Sequence, residues 1–332
     1  MTPAGALTTL HSFNSTDGAN PTGALTQAAN GLLWGTTYGG GANGYGTIFK
    51  MTPAGELTTL HSLDWTHGGN PVPGLIQGTN GIFYGTTISG GANGYGTIFK
   101  MTPAGELTTL HSFALTDGSC PESGLVQATN GNFYGMTSEG GDNSFGTIFE
   151  LSGLTLTTLH NFDETDGSYP VAGLVQGPDG NFYGTTQGGG VYGFGTIFEI
   201  SGLTLTTLHS FDVIDGVNPF GGIVEATDGN FYGTTEYDGA NDGGTVFRLA
   251  AGLGPFVTTL PTSGTVGEAI EILGTNLTGA THVTFNSTTA TFTVISASEI
   301  SATVPAGATT GNVSVTTPFG ILYSTAAFRV TP

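Results

Sequence analysis

A seven-residue phrase, LTTLHSF at residues 7–13, returns with small changes from Leu57, Leu107, Leu156 and Leu205, so the copies lie 50, 50, 49 and 49 residues apart. A fixed period of that size is the mark of a propeller, solenoid or array, and it constrains the architecture before any local pattern is read. Residues 40–62 and 90–112 are identical, which points to recent duplication and limits how far single loops have specialised.

Within one period, residues 24–28, 32–37, 46–51 and 57–63 are short runs of strand type separated by turn signals. Asn30-Gly31 and its copies at Asn80, Asn130, Asp179 and Asp228 predict a tight hairpin between the first two strands. The connections after the second and fourth strands are longer and more variable. In an up-and-down sheet both emerge on one side, opposite the short turns. Four antiparallel strands per period predict a propeller blade, and the count gives an all-β, five-bladed propeller over residues 1–250. The last copy holds only three strands, so the lone strand at 7–13 is expected to close the ring by completing it. In the competing arrangement residues 257–260 (VTTL) serve as the last strand and residues 7–13 pair with a neighbouring molecule, giving a homo-oligomer or filament.

From residue 251 to 332 the period disappears. Ile270 and Ile272, Val283 and Phe285, Phe292 and Val294, Val313 and Val315, and Phe328 and Val330 alternate with polar residues. This predicts a small immunoglobulin-like β-sandwich. Residues 261–274 (PTSGTVGEAIEILG), 283–286 (VTFN) and 303–311 (TVPAGATTG) resemble an IPT/TIG domain. In the repeats, residues 57–62 (LTTLHS), 83–87 (FYGTT) and 96–100 (GTIFK) resemble the GloVer tandem repeat of exported bacterial proteins with varied anchors. That resemblance implies an extracellular or cell-surface location and assigns no activity. Met1 falls inside a repeat, so the chain is expected to be a piece of a longer protein, its leader and anchor outside this sequence.

Against 24 acidic residues stand four basic ones, Lys50, Lys100, Arg248 and Arg329. Four scattered cations build no basic patch, which argues against nucleic acid as a partner. No run of 18 apolar residues suggests direct membrane insertion. With 37% apolar residues the chain can form a core despite carrying only 8% charged residues. Cys120 is the single cysteine and excludes an internal disulfide; it fills a loop slot held elsewhere by Asn20, Asn70, Tyr169 and Asn218.

Five histidines, His11, His61, His111, His160 and His209, recur at one strand position. Outer strands of different blades are too far apart to share a metal ion, so each is expected to hydrogen-bond within its own surroundings, to an Asp17-type or Ser12-type group. The Asp-Gly loops could hold Ca²⁺ through Asp163, Asp166, Asp212 and Asp215, but they lack alternating ligand spacing, the second copy carries His67 in the Asp position, and Asp-Gly is an ordinary turn. The recurring Trp34, Tyr84, Tyr134, Tyr183 and Tyr232 read as packing, with a sugar platform as the competing reading.

Residues that break the symmetry are the expected ligand contacts: Trp65, Tyr169, Tyr38, Tyr192, Glu139, Glu236 and Tyr237, all placed on the long-loop side. No isolated pair of carboxylates supplies an acid and a base, and no nucleophile triad or phosphate loop is present. The sequence therefore predicts a non-enzymatic binding or adhesion protein, its ligand a glycan or a surface protein. A structural stalk and a hydrolase are the alternatives.

Overall fold

Four copies of the repeat each form a four-stranded antiparallel sheet in the computed structural model, which describes residues 5, 7–28 and 30–331. In the first repeat, residues 14–63, the strands are β1 (Thr26–Gln27), β2 (Leu33–Thr37), β3 (Thr47–Met51) and β4 (Leu57–Ser62). The second, residues 64–113, holds β5 (Ile76–Gln77), β6 (Phe83–Thr87), β7 (Thr97–Met101) and β8 (Leu107–Ser112). The third, residues 114–162, holds β9 (Val126–Gln127), β10 (Phe133–Thr137), β11 (Thr147–Ser152) and β12 (Thr155–Asn161). In the fourth, residues 163–211, come β13 (Val175–Gln176), β14 (Phe182–Thr186), β15 (Thr196–Ser201) and β16 (Thr204–Ser210). The fifth, from residue 212, has three strands only: β17 (Val224–Glu225), β18 (Asn230–Thr235) and β19 (Thr245–Ala250). No helix occurs among the described residues.

The hairpin between the first two strands differs from the expected two-residue turn. In the second repeat the Gly81 N–H donates to the Gly78 carbonyl at 2.8 Å, and Gly81 alone takes a positive φ. Asn80 keeps an ordinary φ and uses its side chain to accept from the Ile82 N–H at 3.0 Å. The longer loop lets the Asn cap the chain, so only the glycine needs the left-handed region.

Each complete repeat carries a one-residue bulge between its third and fourth strands. Ile48 pairs with His61 and Phe49 with Thr59, so Leu60 is the extra residue, and the same shift follows at Ile98, Ile148 and Ile197. A bulge turns the side chains beyond it. Beneath the first loop of every repeat lies a threonine pair. Thr37 and Thr47, Thr87 and Thr97, Thr137 and Thr147, Thr186 and Thr196, and Thr235 and Thr245 bond through their hydroxyls at 2.8–2.9 Å. A Cβ on Gly68 would sit 2.3 Å from the Thr87 hydroxyl oxygen, which explains why the Asp-Gly glycine recurs.

Packing between repeats repeats as strictly as packing within them. Trp34 stacks on Phe83 at 3.8 Å, Tyr84 meets Phe133 at 4.0 Å and Tyr134 meets Phe182 at 4.2 Å, each ring lying on the next repeat. Trp34, Tyr84 and Tyr134 are therefore packing residues. At the end of the fourth strand, Leu63, Phe113 and Phe162 are fully buried, contributing roughly 1.5–3 kcal/mol each.

Closure by the first strand is not formed. Residues 7–13 belong to no sheet, and the outer edge of β19 carries no fourth strand among the described residues. The segment is held instead by its forward contact, with the Phe13 ring 5.3 Å from Phe49, as Phe113 is from Phe149. That contact needs no edge pairing.

The chain divides into two compact units, and the hairpin 224–233 and residues 177–181 group with residues 246–332. In this second unit, Thr258–Leu260, Ala269–Leu273, Glu299–Thr303 and Phe292–Ser296 form one sheet. Thr288–Thr289, His282–Phe285, Val313–Thr317 and Gly320–Tyr323 form another. Both contribute to one core of Ile270, Ile272, Val283, Phe285, Ile300, Val313, Val315 and Phe328, as the alternation predicts.

Candidate active site

In four copies the recurring histidine meets a carboxylate from the following loop. His11 Nε2 lies 2.9 Å from Asp17 Oδ2, His111 3.1 Å from Asp117, His160 2.7 Å from Asp166 and His209 2.6 Å from Asp215. The second carboxylate oxygen accepts a backbone N–H of the same loop, as Asp117 Oδ1 does from Ala114 at 2.8 Å. The pair thus ties the last strand of one repeat to the first loop of the next. This is the histidine role expected from the sequence. It also engages Asp166 and Asp215, while Asp163 and Asp212 cap their own turns. Among the described residues no cluster of three or more metal-ligating side chains forms.

The second copy breaks the pattern. His67 replaces the carboxylate, and its Nδ1 turns away from the strand to Asp64 Oδ1 at 2.8 Å. Asp64 is held well below the usual carboxylate range, first by the Thr66 hydroxyl at 2.7 Å and then by the His67 backbone N–H at 2.9 Å. An ionised carboxylate only accepts, so Nδ1 carries the proton and Nε2 of the neutral ring offers a lone pair. Nε2 has no hydrogen-bond partner among the described residues, and the side chain is 48% exposed. His61 is left with a buried Nε2 that bonds to nothing, its ring edge-on to His67 at 6.4 Å. Burial is the first cause that lowers the His61 pKa; His67 adds to it only in its protonated form.

Trp65, between Asp64 and Thr66 in the same loop, is half-exposed, with Tyr45 of the first repeat 5.5 Å away. The arrangement is an imidazole oriented by a carboxylate and open to water. Such a group can take a proton from water or a hydroxyl.

The two long loops of each repeat do emerge together, joined by bridges such as Gly69 to Ser89 and Ser119 to Glu139. The expected ligand residues are spread along them. Tyr38 and Trp65 flank the first junction, where Asn70 Nδ2 donates to the Tyr38 carbonyl at 3.0 Å. Glu139 lies in the third repeat beside Cys120, Tyr169 and Tyr192 in the fourth, and Glu236 and Tyr237 in the fifth, where Asn218 Nδ2 donates to Glu236 at 2.6 Å. Of these residues, Trp65 shares its loop with the exposed imidazole. In the sequence His67 reads only as a missing Asp; the signal for its role was the neighbouring Asp64, three residues earlier.

A family model described as the Gloeobacter/Verrucomicrobia repeat matches residues 1–176 and 121–293. No curated protein matches the sequence. Among solved structures, a gluconolactonase from Xanthomonas campestris is similar at 12% identity, with 88% of each chain covered and a TM-score of 0.46. A Bacteroides uniformis protein assigned by inference as a 6-phosphogluconolactonase shares 14% identity over 85% of this chain and 84% of its own, with a TM-score of 0.41. A Thermus thermophilus protein assigned by inference as a glucose dehydrogenase shares 12% over 91% and 92%, also at 0.41. At these identities the likeness concerns fold alone. The expectation of a non-enzymatic binding or adhesion protein is set against similar structures that are named as enzymes; with TM-scores below 0.5 they assign this chain no role. A search for paired carboxylates passes over a carboxylate paired with an imidazole.

Proposed function

We propose that this chain, which belongs to the Gloeobacter/Verrucomicrobia repeat family, is a hydrolytic enzyme with His67 as its general base. One observation carries the reading: of the five loop positions, only the one at residue 67 presents an imidazole held by a carboxylate through Nδ1 with Nε2 open to solvent. The substrate class is a small ester or lactone whose ring rests against Trp65. As the water oxygen bonds to the acyl carbon, its proton passes to Nε2, and the same proton goes to the departing alkoxide as the carbon–oxygen bond breaks. Asp64 keeps the ring in the required tautomer and offsets the imidazolium charge.

The test is hydrolysis of p-nitrophenyl acetate and δ-gluconolactone by the full chain. His67→Gln and Asp64→Asn should each lower kcat/KM by roughly 10²-fold or more, the scale of general-base catalysis. Turnover that survives His67→Gln, or no turnover of either probe above buffer, overturns the assignment.

The repeats are read as propeller blades, five in number with the fifth short of a strand, and the C-terminal strands as an immunoglobulin-like sandwich of the IPT/TIG kind. Support comes from the constant four-strand order, the two loops gathered on one side, and the core shared by two four-stranded sheets.

A further inference from the structure

At the short-turn end of the third repeat, Tyr134 faces Glu150 across β10 and β11. Asn130 Nδ2 donates to the Tyr134 hydroxyl at 2.9 Å, and that hydroxyl donates to Glu150 Oε1 at 2.8 Å. In the second repeat Tyr84 faces Lys100 in the same register. Asn80 Nδ2 donates to the Tyr84 hydroxyl at 2.9 Å, while Asn80 Oδ1 accepts from the Ile82 N–H at 3.0 Å. Those two bonds fix the amide orientation, so the Tyr84 O–H cannot turn back to Asn80. It has no acceptor among the described residues, and neither has the Lys100 ammonium.

Both donors line a cavity of about 280 Å³ between the second and third repeats, with Phe133, Leu151 and Leu154 on its apolar side. Tyr84 is only 7% exposed and packs on Phe133 at 4.0 Å, which holds its hydroxyl in the wall. Leu154, in the turn between β11 and β12, lines the same cavity yet is 72% exposed, an apolar side chain left without cover. Fixed donors and apolar walls in one cavity suit a ligand with an anionic head and an apolar tail. Gly131 and Gly153 complete the lining and belong to the two short turns of the third repeat, so the site lies away from the His67 loop. The matching pair of the first repeat, Trp34 and Lys50, offers no such opening, because Trp34 Nε1 is sealed from solvent.

We propose that this cavity binds a small carboxylic acid as its anion. The ligand carboxylate takes the place that Glu150 holds in the next repeat, where a carboxylate oxygen accepts from the tyrosine O–H. One oxygen accepts from the Tyr84 O–H and the other from the Lys100 ammonium, while a short apolar tail covers Phe133, Leu151 and Leu154. Two oxygens match the two donors. A phosphate would press further charged oxygens against apolar side chains that cannot donate to them. The assignment is independent of the base at His67, and the two stand or fall separately.

The experiment titrates hexanoate into the full chain by isothermal titration calorimetry, with hexan-1-ol and inorganic phosphate as comparison probes. Saturable binding of hexanoate is expected, and the alcohol and phosphate should each bind weaker by about tenfold or more. Lys100→Gln should weaken hexanoate by about 10- to 100-fold, the scale of a hydrogen bond to a charged group, and Tyr84→Phe by a smaller factor. Lys100→Glu is the sharper variant. It sets a carboxylate opposite Tyr84 as Glu150 stands opposite Tyr134, so it should fold with a Tm no lower than that of the unmodified chain while binding no hexanoate. The absence of saturable hexanoate binding overturns the proposal, as does binding that survives Lys100→Gln or Lys100→Glu undiminished. Equal binding of hexan-1-ol means an apolar pocket only, and equal binding of phosphate a plain anion site; either result overturns the carboxylate assignment.

Discussion

Replacing His67 by Asp should stabilise the protein while removing the proposed base. In the other four copies the carboxylate at this position accepts from the strand histidine at 2.6–3.1 Å and from a loop backbone N–H. His61 lacks that partner and holds a buried ring nitrogen unpaired. A hydrogen bond to a charged acceptor contributes about 1.5–3 kcal/mol. The exposed His67–Asp64 pair that is lost contributes about 0–1 kcal/mol. A second carboxylate three residues after Asp64 is no obstacle, since Asp163 with Asp166 and Asp212 with Asp215 already coexist at that spacing. The balance is a gain of about 2 kcal/mol, or a rise in Tm of roughly 4–8 °C at the 2–4 °C per kcal/mol of chains of 150–250 residues. The pH dependence supplies a second readout. Because the folded-state pKa of His61 lies below 6.5, the unfolded chain binds the extra proton, so the wild-type protein loses stability as pH falls below 6.5 toward that lowered value. Scanning calorimetry at pH 7.5 and 5.5 measures both effects. A Tm that is unchanged or lower in His67→Asp, or an acid slope of wild-type steepness, would refute the assignment of His61 as an unmet donor.

Two further outcomes follow from groups the repeat has altered. Glu225 is pushed up to about 7, first by burial and then by the Asp179 charge. Stability from this group is present below 4.5 and is lost as pH rises toward 7, so Glu225→Gln should flatten the Tm profile between those values. Cys120 is pushed up to about 11 by burial and then by Glu139 and Glu122. Its alkylation by iodoacetamide at pH 8 should be slower than that of a free cysteine peptide by about 10²-fold, and Glu139→Gln should narrow the gap.

Much of this architecture is legible along the chain. Strand positions, the all-β class and the gathering of the two long loops follow from alternation and turn residues, which act over a few neighbours. The histidine tie was also within reach, because partner and histidine are six residues apart. Glu225 shows where local reading stops. Its counterparts Gln127 and Gln176 accept the backbone N–H of Thr79 and Thr129, 48 and 47 residues earlier. At the equivalent place stands Pro178, which has no N–H, and the carboxyl oxygen is left buried and unpaired. Both substitutions are visible in the sequence, but their coincidence has no meaning until the two repeats are packed together.

The sequence by itself determined the repeat, its four strands and the side from which its variable loops project, because these depend on backbone turns and on which face of a short strand is apolar. Tertiary structure decided which partner each repeated group meets. It turned the His67 ring to Asp64, left His61 without an acceptor, and kept residues 7–13 off any sheet. The first two turn on how a ring three or six residues from its partner is oriented, and the last on whether a sheet edge is met; no local pattern records either.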